Sequence, residues 1–405
     1  MDPKFADMKI IPEILEKLEF LKFATPTPIQ QKTIPLGLEG SDLIGIAQTG
    51  TGKTLAFAIP IIQKIIKEQK LALIVLPTRE LALQVDEVFQ KVGRPLGINT
   101  AVLIGGAPIG FQIKMIRRSP GVIIGTPGRI NDHLKKGNIN LKACGILVLD
   151  EADRMLDMGF APQIKEILKQ FPVNGNRQTL LFSATMPEAI ASIATKYMKT
   201  PVRVEIACPG TVADNIEQEL FFVQKDQKQR LLEKILHEHT GSTLIFTRTK
   251  HGAKKTCRSL NMVGHRAAEI HSNRSLNQRQ EALSGFKKGK YRVLVATDIA
   301  SRGIDVTGIQ LIVNYDLPEN PEDYVHRIGR TGRAGLKGRA ISIATGDQRG
   351  KISSIEMLTK SKLKVLGDQA PEAYVHENKN NGRRSRNYGR TPQRGRKRFS
   401  YRRRG

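Results

Sequence analysis

The run Ala47-Gln48-Thr49-Gly50-Thr51-Gly52-Lys53-Thr54 has the make-up of a phosphate cradle. Gly50 and Gly52 let the backbone curl so that successive N–H groups point inward. Lys53 adds a mobile positive charge and Thr54 a hydroxyl for Mg²⁺. Gln48, Thr49 and Thr51 complete the loop. A second cluster, Asp150-Glu151-Ala152-Asp153, supplies carboxylates. Asp150 is suited to hold Mg²⁺, in part through water, and Glu151 to polarise an attacking water. Acidic residues also open helices for electrostatic reasons alone, but a phosphate loop upstream favours the chemical reading. Arg330 and Arg333 are three apart among glycines, which puts them on one face if helical. They either decorate the surface or reach a γ-phosphate as arginine fingers. Lys53, Glu151, Arg330 and Arg333 are therefore the candidate catalytic groups.

These residues need elements to hold them. The cradle follows an apolar run, Leu43–Ile46, and leads into another from Leu55 to Ile66, which is the strand, turn and helix such a loop requires. A helix starting there aims its positive dipole end at the same anion. Apolar, strand-like runs recur at 71–76, 101–104, 122–124, 146–149 and 180–182, separated by helical patterns that include 80–92, 164–171 and 188–197. Continuous apolar strands alternating with amphipathic helices predict a parallel sheet covered on both faces. The Asp150 cluster then emerges at the strand C-termini, beside the phosphate loop. Upstream, 10–21 has helical spacing, and Pro26 and Pro28 predict an extended turn ending at Gln30.

The pattern lapses near Ala207-Cys208-Pro209-Gly210-Thr211 and restarts with strand-like runs at 220–223, 244–246, 292–296, 311–313 and 340–343. The expected organisation is a first α/β domain over 1–206, a linker over 207–216, a second domain over 217–366 and a tail over 367–405. The second half has no phosphate loop, so it is placed to complete the site of the first.

The chain has 405 residues and a net charge of +27, which points to a polyanionic partner. Residues 379–405 hold twelve of the Lys and Arg residues and no Asp or Glu, which leaves +15 on the rest. Such a segment cannot bury enough apolar surface to offset its chain entropy, so disorder is expected. Its Tyr388, Phe399 and Tyr401 lie among guanidinium groups that bind phosphate and stack on unpaired bases, as in an RNA tether. A merely solubilising tail is the alternative. The three cysteines are far apart, which argues against a metal cluster. The absence of a signal-like N-terminus or a membrane-length apolar run leads us to expect a cytoplasmic chain without membrane association.

Asp150-Glu151-Ala152-Asp153 spells the signature of the DEAD-box RNA helicases, and the chain resembles that family over roughly residues 5 to 345. Lys22-Phe23-Ala24-Thr25-Pro26-Thr27-Pro28-Ile29-Gln30 resembles its adenine-reading Q motif. The resemblance implies ATP contacts from Phe23, Thr25 and Gln30, and a ribose contact from Asp305. Gln30 has the donor and acceptor that match adenine's N7 and N6 amine, unless it simply opens the next helix. Phe5, at the place of the upstream aromatic, either stacks on the base or seals the following helix. Pro77, Thr78, Arg79, Gly105, Gly106, Thr126 and Arg129 resemble the RNA-backbone motifs of the first domain. Arg248, Thr297, Arg302 and Gly303 resemble those of the second. Asp153, Ser183, Thr185 and His326 are implied to couple ATP to RNA.

Two positions depart from the family's habit: Lys22 stands where Gly is frequent, and Leu276 where Gln precedes Arg279. The resemblance implies two tandem RecA-like domains of the P-loop NTPase type, ATP and Mg²⁺ as cofactors, and an RNA-stimulated ATPase. The protein would act as a monomer, closing on single-stranded RNA or locally opening duplexes without reading sequence. Ribosomal precursors and RNA-decay complexes are the settings implied. An ATP-dependent clamp or scaffold, and a DNA translocase on the same plan, are the alternatives.

Overall fold

The computed structural model describes residues 4–48, 50–172, 177–206, 215–298, 306, 308–332 and 337–366, and these form two parallel seven-stranded sheets flanked by helices. After α1 (Pro12–Phe20) and α2 (Pro28–Leu38), the first sheet comprises β1 (Leu43–Ile46), β2 (Leu71–Val75), β3 (Thr100–Leu103), β4 (Val122–Gly125), β5 (Cys144–Leu149), β6 (Gln178–Ser183) and β7 (Val202–Glu205). Every residue of β1, β4, β5 and β6 is buried, as expected of strands covered on both faces. The helices between them are α3 (Lys53–Glu68), α4 (Arg79–Val92), α5 (Ile109–Ile116), α6 (Pro127–Lys135), α7 (Ala152–Asp157), α8 (Ala161–Lys169) and α9 (Glu188–Tyr197). One apolar cluster, including Phe57, Ile62 and Phe89, covers one face of the sheet. Another, including Met155, Ile164 and Ile167, covers the other.

The second sheet comprises β8 (Ile216–Phe222), β9 (Thr243–Phe246), β10 (Ala267–Ile270), β11 (Val293–Ala296), β12 (Leu311–Asn314), β13 (Gly338–Ala344) and β14 (Lys364–Val365). Its helices are α10 (Lys228–Glu238), α11 (Lys250–Met262), α12 (Leu276–Lys287), α13 (Pro321–Ile328) and α14 (Arg349–Thr359). The first sheet runs β3-β4-β2-β5-β6-β1-β7 and the second β10-β11-β9-β12-β13-β8-β14, so the second half repeats the plan of the first strand for strand. The glycine loop follows β1 but has no counterpart after β8.

The expected α/β class and paired halves are therefore present. Three short strands, β7, β10 and β14, go beyond the sequence expectation. The segment before β1 differs from it. Instead of an extended turn ending at Gln30, α2 begins at Pro28 with Thr27 as N-cap and Gln30 as its third residue. Proline at a first helical position loses no hydrogen bond, because that N–H has no intrahelical acceptor anyway. Among the described residues no helix is long and apolar enough to cross a membrane. Most of the expected linker and all of the expected tail from 367 onward lie outside the described residues.

The strand that carries the phosphate loop is anchored at its base by Asp42. Its carboxylate accepts from the backbone N–H of Thr179 at 2.6 Å and of Lys199 at 2.7 Å, tying β1 to the start of β6 and to the segment before β7. Asp42→Ala leaves both donors without an acceptor and is expected to cost on the order of 2–4 kcal/mol in urea unfolding. Asp42→Asn, which keeps an acceptor oxygen, should lose less.

Candidate nucleotide and RNA site

All strands of the first sheet run the same way, so their C-terminal ends form one edge. Along it the loops follow the strand order: Gly105-Gly106 after β3, Thr126 after β4, Pro77–Arg79 after β2, Asp150–Asp153 after β5, Ser183–Thr185 after β6 and the glycine loop after β1. The motifs expected for RNA occupy one end and those expected for ATP the other. The carboxylates and the Ser-Ala-Thr turn lie between.

At the nucleotide end Gly52 caps α3 at φ 90°, a left-handed conformation that favours glycine. A Cβ there would stand 2.4 Å from Gln30 Nε2, so glycine is also what admits the glutamine. Gln30 Nε2 donates to Gly52 O at 3.0 Å, and its Oε1 accepts from Thr27 N at 2.9 Å. Each pole of the amide makes one bond to the chain, and the second Nε2 hydrogen and second Oε1 lone pair would remain for a base edge. Lys53 is buried and donates to Ala47 O at 2.8 Å; Thr51 Oγ1 donates to Gln48 O at 2.7 Å. Phe5 takes the sealing alternative, being 4% exposed within the apolar cluster that also holds Ile14 and Ile29. Phe23, 42% exposed, and Thr25 keep open surface for a base. Thr49 and Asp305 lie outside the described residues.

Beside the loop, Asp150, Glu151 and Asp153 are all buried. Burial, opposed by Lys53 but reinforced by Glu151 and Asp153, pushes the Asp150 carboxyl up to about 6. Three buried carboxylates against the Lys53 ammonium and the Arg154 guanidinium still leave one surplus negative charge, and that surplus fits a cation. Thr54 and Asp150 would hold Mg²⁺, with few protein ligands because this ion keeps water and substrate phosphates in its shell. Glu151 adopts φ 50° and ψ 50°, an uncommon conformation for a residue with a side chain. Asp153 Oδ2 accepts from Ala184 N at 3.0 Å, Thr185 N at 2.8 Å and Thr185 Oγ1 at 3.0 Å. Burial would raise its pKa, but the bonds from Thr185 and the charge of Lys53 together outweigh that and hold it below the ordinary value. Asp153 N donates to Ser183 Oγ at 3.2 Å, so the two motifs form one hydrogen-bonded unit.

Arg154 carries the contact to the second half. Its Nη1 lies 3.2 Å from Glu151 Oε2 and its Nη2 3.2 Å from His326 Nδ1 on α13. Burial, with the Arg154 charge next, pushes His326 down to about 4, so the ring is neutral at pH 7. Arg327, also buried, grips Asp298 through two bonds of 2.6 and 2.7 Å and donates to Asn314 Oδ1 at 3.1 Å and Asp316 O at 2.6 Å. Its guanidinium covers the Phe246 ring at 4.9 Å. Arg330 lines the cleft with Arg154, Asp298 and His326. The helical spacing expected of Arg330 and Arg333 does not hold: α13 ends at Ile328, Gly329 is its C-cap, and Gly332 turns the chain at φ 66°. Arg330 is presented from a turn, and Arg333 lies outside the described residues.

At the other end Arg79 lies against the glycine pair; a Cβ on Gly106, which sits at φ 81°, would come 2.5 Å from Arg79 Nη1. Arg129 Nη1 donates to Ala107 O at 3.1 Å, and Thr78 Oγ1 accepts from Leu81 N at 3.3 Å as the N-cap of α4. Pro77 precedes that cap, and Thr126 is the N-cap of α6. Gln112 Nε2 donates to Ile104 O at 3.0 Å and Ala107 O at 3.2 Å, bracketing the glycines. Glu80 meets Arg279 of the second half at 2.9 Å, and Leu276 packs against the first half's apolar cluster. Apolar packing thus stands where the departure at Leu276 threatened to remove a polar contact. Arg248 and Thr297 follow β9 and β11 at the C-terminal edge of the second sheet, while Arg302 and Gly303 lie outside the described residues.

Arg154, Arg327, Glu80 and Gln112 are thus structural partners that sequence reasoning missed. Arg154, Arg327 and Glu80, charged residues inside or beside the motifs, carried a signal, and Gln112 did not.

Known proteins supply an independent comparison. Residues 27–193 match the DEAD/DEAH box helicase family, and residues 227–335 match the Helicase conserved C-terminal domain. The chain is 44% identical over 373 residues to the ATP-dependent RNA helicase CshA of Listeria monocytogenes, covering 91% of this chain and 71% of that protein. It is 42% identical over 346 residues to the ATP-dependent rRNA helicase RRP3 of Candida albicans, covering 84% and 64%. Among solved structures it resembles S. cerevisiae Dbp5 bound to RNA and ADP BeF3, with TM-score 0.79, 30% identity and coverage of 90% and 95%. It also resembles Mss116p bound to ssRNA and AMP-PNP, with TM-score 0.82, 28% identity and coverage of 91% and 80%.

His326 yields a pH dependence with a definite sign. Its pKa in the cleft, about 4, lies below the ordinary histidine value of 6.5. Above pH 6.5 the ring is neutral whether the halves are together or apart, and the contact keeps its full strength. As pH falls from 6.5 towards 4 the separated form takes up a proton that the closed form refuses, which weakens closure by as much as about 3 kcal/mol. Fluorescence energy transfer between dyes on the two halves should report opening over that window, and His326→Asn should remove the step.

Proposed function

This chain belongs to the DEAD-box RNA helicase family and is an ATP-dependent RNA helicase; on that premise we propose how its residues divide the work. The domains run over 1–206 and 217–366, joined by a linker at 207–216. ATP lies on the glycine loop, with Phe23, Thr25 and Gln30 at the adenine and Asp305 at the ribose. Lys53 neutralises phosphate charge. Thr54 and Asp150 would hold Mg²⁺, which would supply further charge neutralisation at the phosphates.

Glu151 orients and polarises the attacking water, and Arg330 and Arg333 meet charge developing on the γ-phosphate. Single-stranded RNA lies along Pro77, Thr78, Arg79, Gly105, Gly106, Thr126 and Arg129 of the first domain and Arg248, Thr297, Arg302 and Gly303 of the second. Arginines and backbone amides contact phosphate and sugar rather than base edges, so binding is independent of sequence. ATP and RNA each favour the closed arrangement of the halves, and hydrolysis withdraws the closing contacts and frees the RNA. We place the activity in ribosome assembly or RNA turnover, with the chain acting as a monomer and the tail from 367 tethering RNA near the core.

The observation that carries this reading is Arg154. It touches Glu151, the group assigned to the water, and His326, across the cleft. Beside it Asp153 joins the carboxylate motif to Ser183 and Thr185. The group that acts on ATP is thus wired to the contact that closes the halves.

Glu151→Gln separates an enzyme from a clamp that needs only ATP binding. We expect RNA-stimulated ATP turnover to fall by at least about 100-fold. RNA binding with ATP should persist, and RNA release should slow. Unchanged turnover and release would support the clamp.

A further inference from the structure

Helix α5 begins just beyond the Gly105-Gly106 loop and carries an aromatic ring without an apolar home. Phe111 is 60% exposed, whereas its neighbour Gln112 is fully buried. The buried face of the helix is Gln112, with Met115 and Ile116 packed on the apolar cluster that includes Ile130 and Met155. The opposite face presents Gly110, Phe111, Lys114, Arg117 and Arg118, all exposed. A Cβ on Gly110 would meet nothing within 4 Å, so the space beside the ring is open. The helix itself, Ile109–Ile116, contains no acidic residue, and Lys114, Arg117 and Arg118 enter none of the ion pairs formed among the described residues.

The position of this face is fixed by the loop it follows. Gln112 donates to Ile104 O and Ala107 O, on either side of the glycine pair, and its Oε1 lies 3.1 Å from His133 Nε2 of α6. Arg129 donates to the same Ala107 carbonyl. The Gly105-Gly106 loop, α6 and the first turn of α5 are therefore one hydrogen-bonded block. Phe111 is held beside the backbone-contacting groups rather than on a mobile segment.

An exposed ring alone would suit a protein partner as well as a base. The charges decide between them: three cations with no acid on the same face favour a polyanion. An aromatic ring followed by cations is the arrangement by which unpaired nucleic acid is held, with the base stacked and the phosphates neutralised. Resting on the RNA reading above, we propose that Phe111 is a stacking platform for an unpaired RNA base. Lys114, Arg117 and Arg118 continue the phosphate track beyond Gly105-Gly106. The core then holds a longer stretch of single strand than its backbone motifs span, and a base stacked on Phe111 cannot rejoin a duplex.

The test measures binding of fluorescent oligo(U) of increasing length to the full chain with a non-hydrolysable ATP analogue. Matched oligomers carry abasic sugars at either end. For Phe111→Ala we expect short oligomers to bind as to the unaltered chain and long ones to bind roughly 5- to 100-fold more weakly. Phe111→Trp should restore binding of the long oligomers, and Phe111→Leu should not. The unaltered chain should lose its length advantage when the terminal residues are abasic. The thermal midpoint should stay the same, since the ring is largely in solvent.

Equal binding of all oligomers by Phe111→Ala and the unaltered chain would overturn the platform. So would rescue by Leu equal to that by Trp, which would indicate a plain apolar contact of the kind a protein partner uses. If the unaltered chain failed to bind any oligomer, the RNA reading itself would fail, a result distinct from either.

Discussion

A buried guanidinium shared between two halves of a chain is the constraint on which the rest of this structure depends. Arg154 is 2% exposed and lies between Glu151 on its own half and His326 on the other. Removing such a charge from water is expensive, and the partners recover that cost only while the geometry is complete. When the halves part, arginine and histidine regain water, and little net energy is lost. The contact is therefore specific without being strong, as a switch needs. A purely apolar interface of the same size would hold the halves together whether or not ligands were present.

Strand order turns that contact into a coupling device. In the first sheet the loops after β3, β4 and β2 gather at one end of the C-terminal edge, and the glycine loop after β1 lies at the other. The two ends communicate through β5 and β6, where Asp153 binds the backbone of Ala184 and Thr185. A carboxylate that receives several N–H and O–H donors holds the two loops together as one unit, which is what the proposed coupling of ATP to RNA needs. The second sheet repeats the topology without a glycine loop. It places Arg330 and His326 in the cleft beside Arg154, and on the proposed reading one nucleotide site is completed by both halves.

Much of this was legible in the sequence because the strands of a doubly covered sheet are continuous apolar runs. Their loops carry residue types rare outside phosphate chemistry. The short edge strand Val202–Glu205, with one buried residue, and Ala267–Ile270, with a charged one, are weaker signals and were missed. The expected extended turn at Gln30 failed because two prolines read as breakers, although the second begins a helix. Arg330 leaves the helix because Gly329 caps it and Gly332 turns the chain beyond, while Arg333 lies outside the described residues. Phe5 shows a limit of a different kind: an aromatic ring can stack on a ligand or fill a core, and only packing decides. Arg154, Arg327, Glu80 and Gln112 were passed over because their partners are distant in the chain. Sequence spacing says nothing of His326 facing a residue 172 positions away.

The remaining puzzle is why the contact between halves is poorly finished. Glu80 and Arg279 face one another at 2.9 Å, yet both oxygens of Glu80 and Nε of Arg279 lack a hydrogen bond. Burial raises the Glu80 carboxyl above its ordinary pKa even though Arg279 opposes it. In a static core such groups would be a defect, since each buried and unmatched polar atom costs about 1–3 kcal/mol. In an enzyme that must open after each turnover they have a use. They subtract from the energy of closure contributed by Leu276 and by the Arg154 contact, and so keep the two arrangements within reach of each other. A ligand shifts an equilibrium only by its differential affinity for the two states. A well-finished interface would hold the halves closed without ligands, whereas an imperfect one leaves the balance with them.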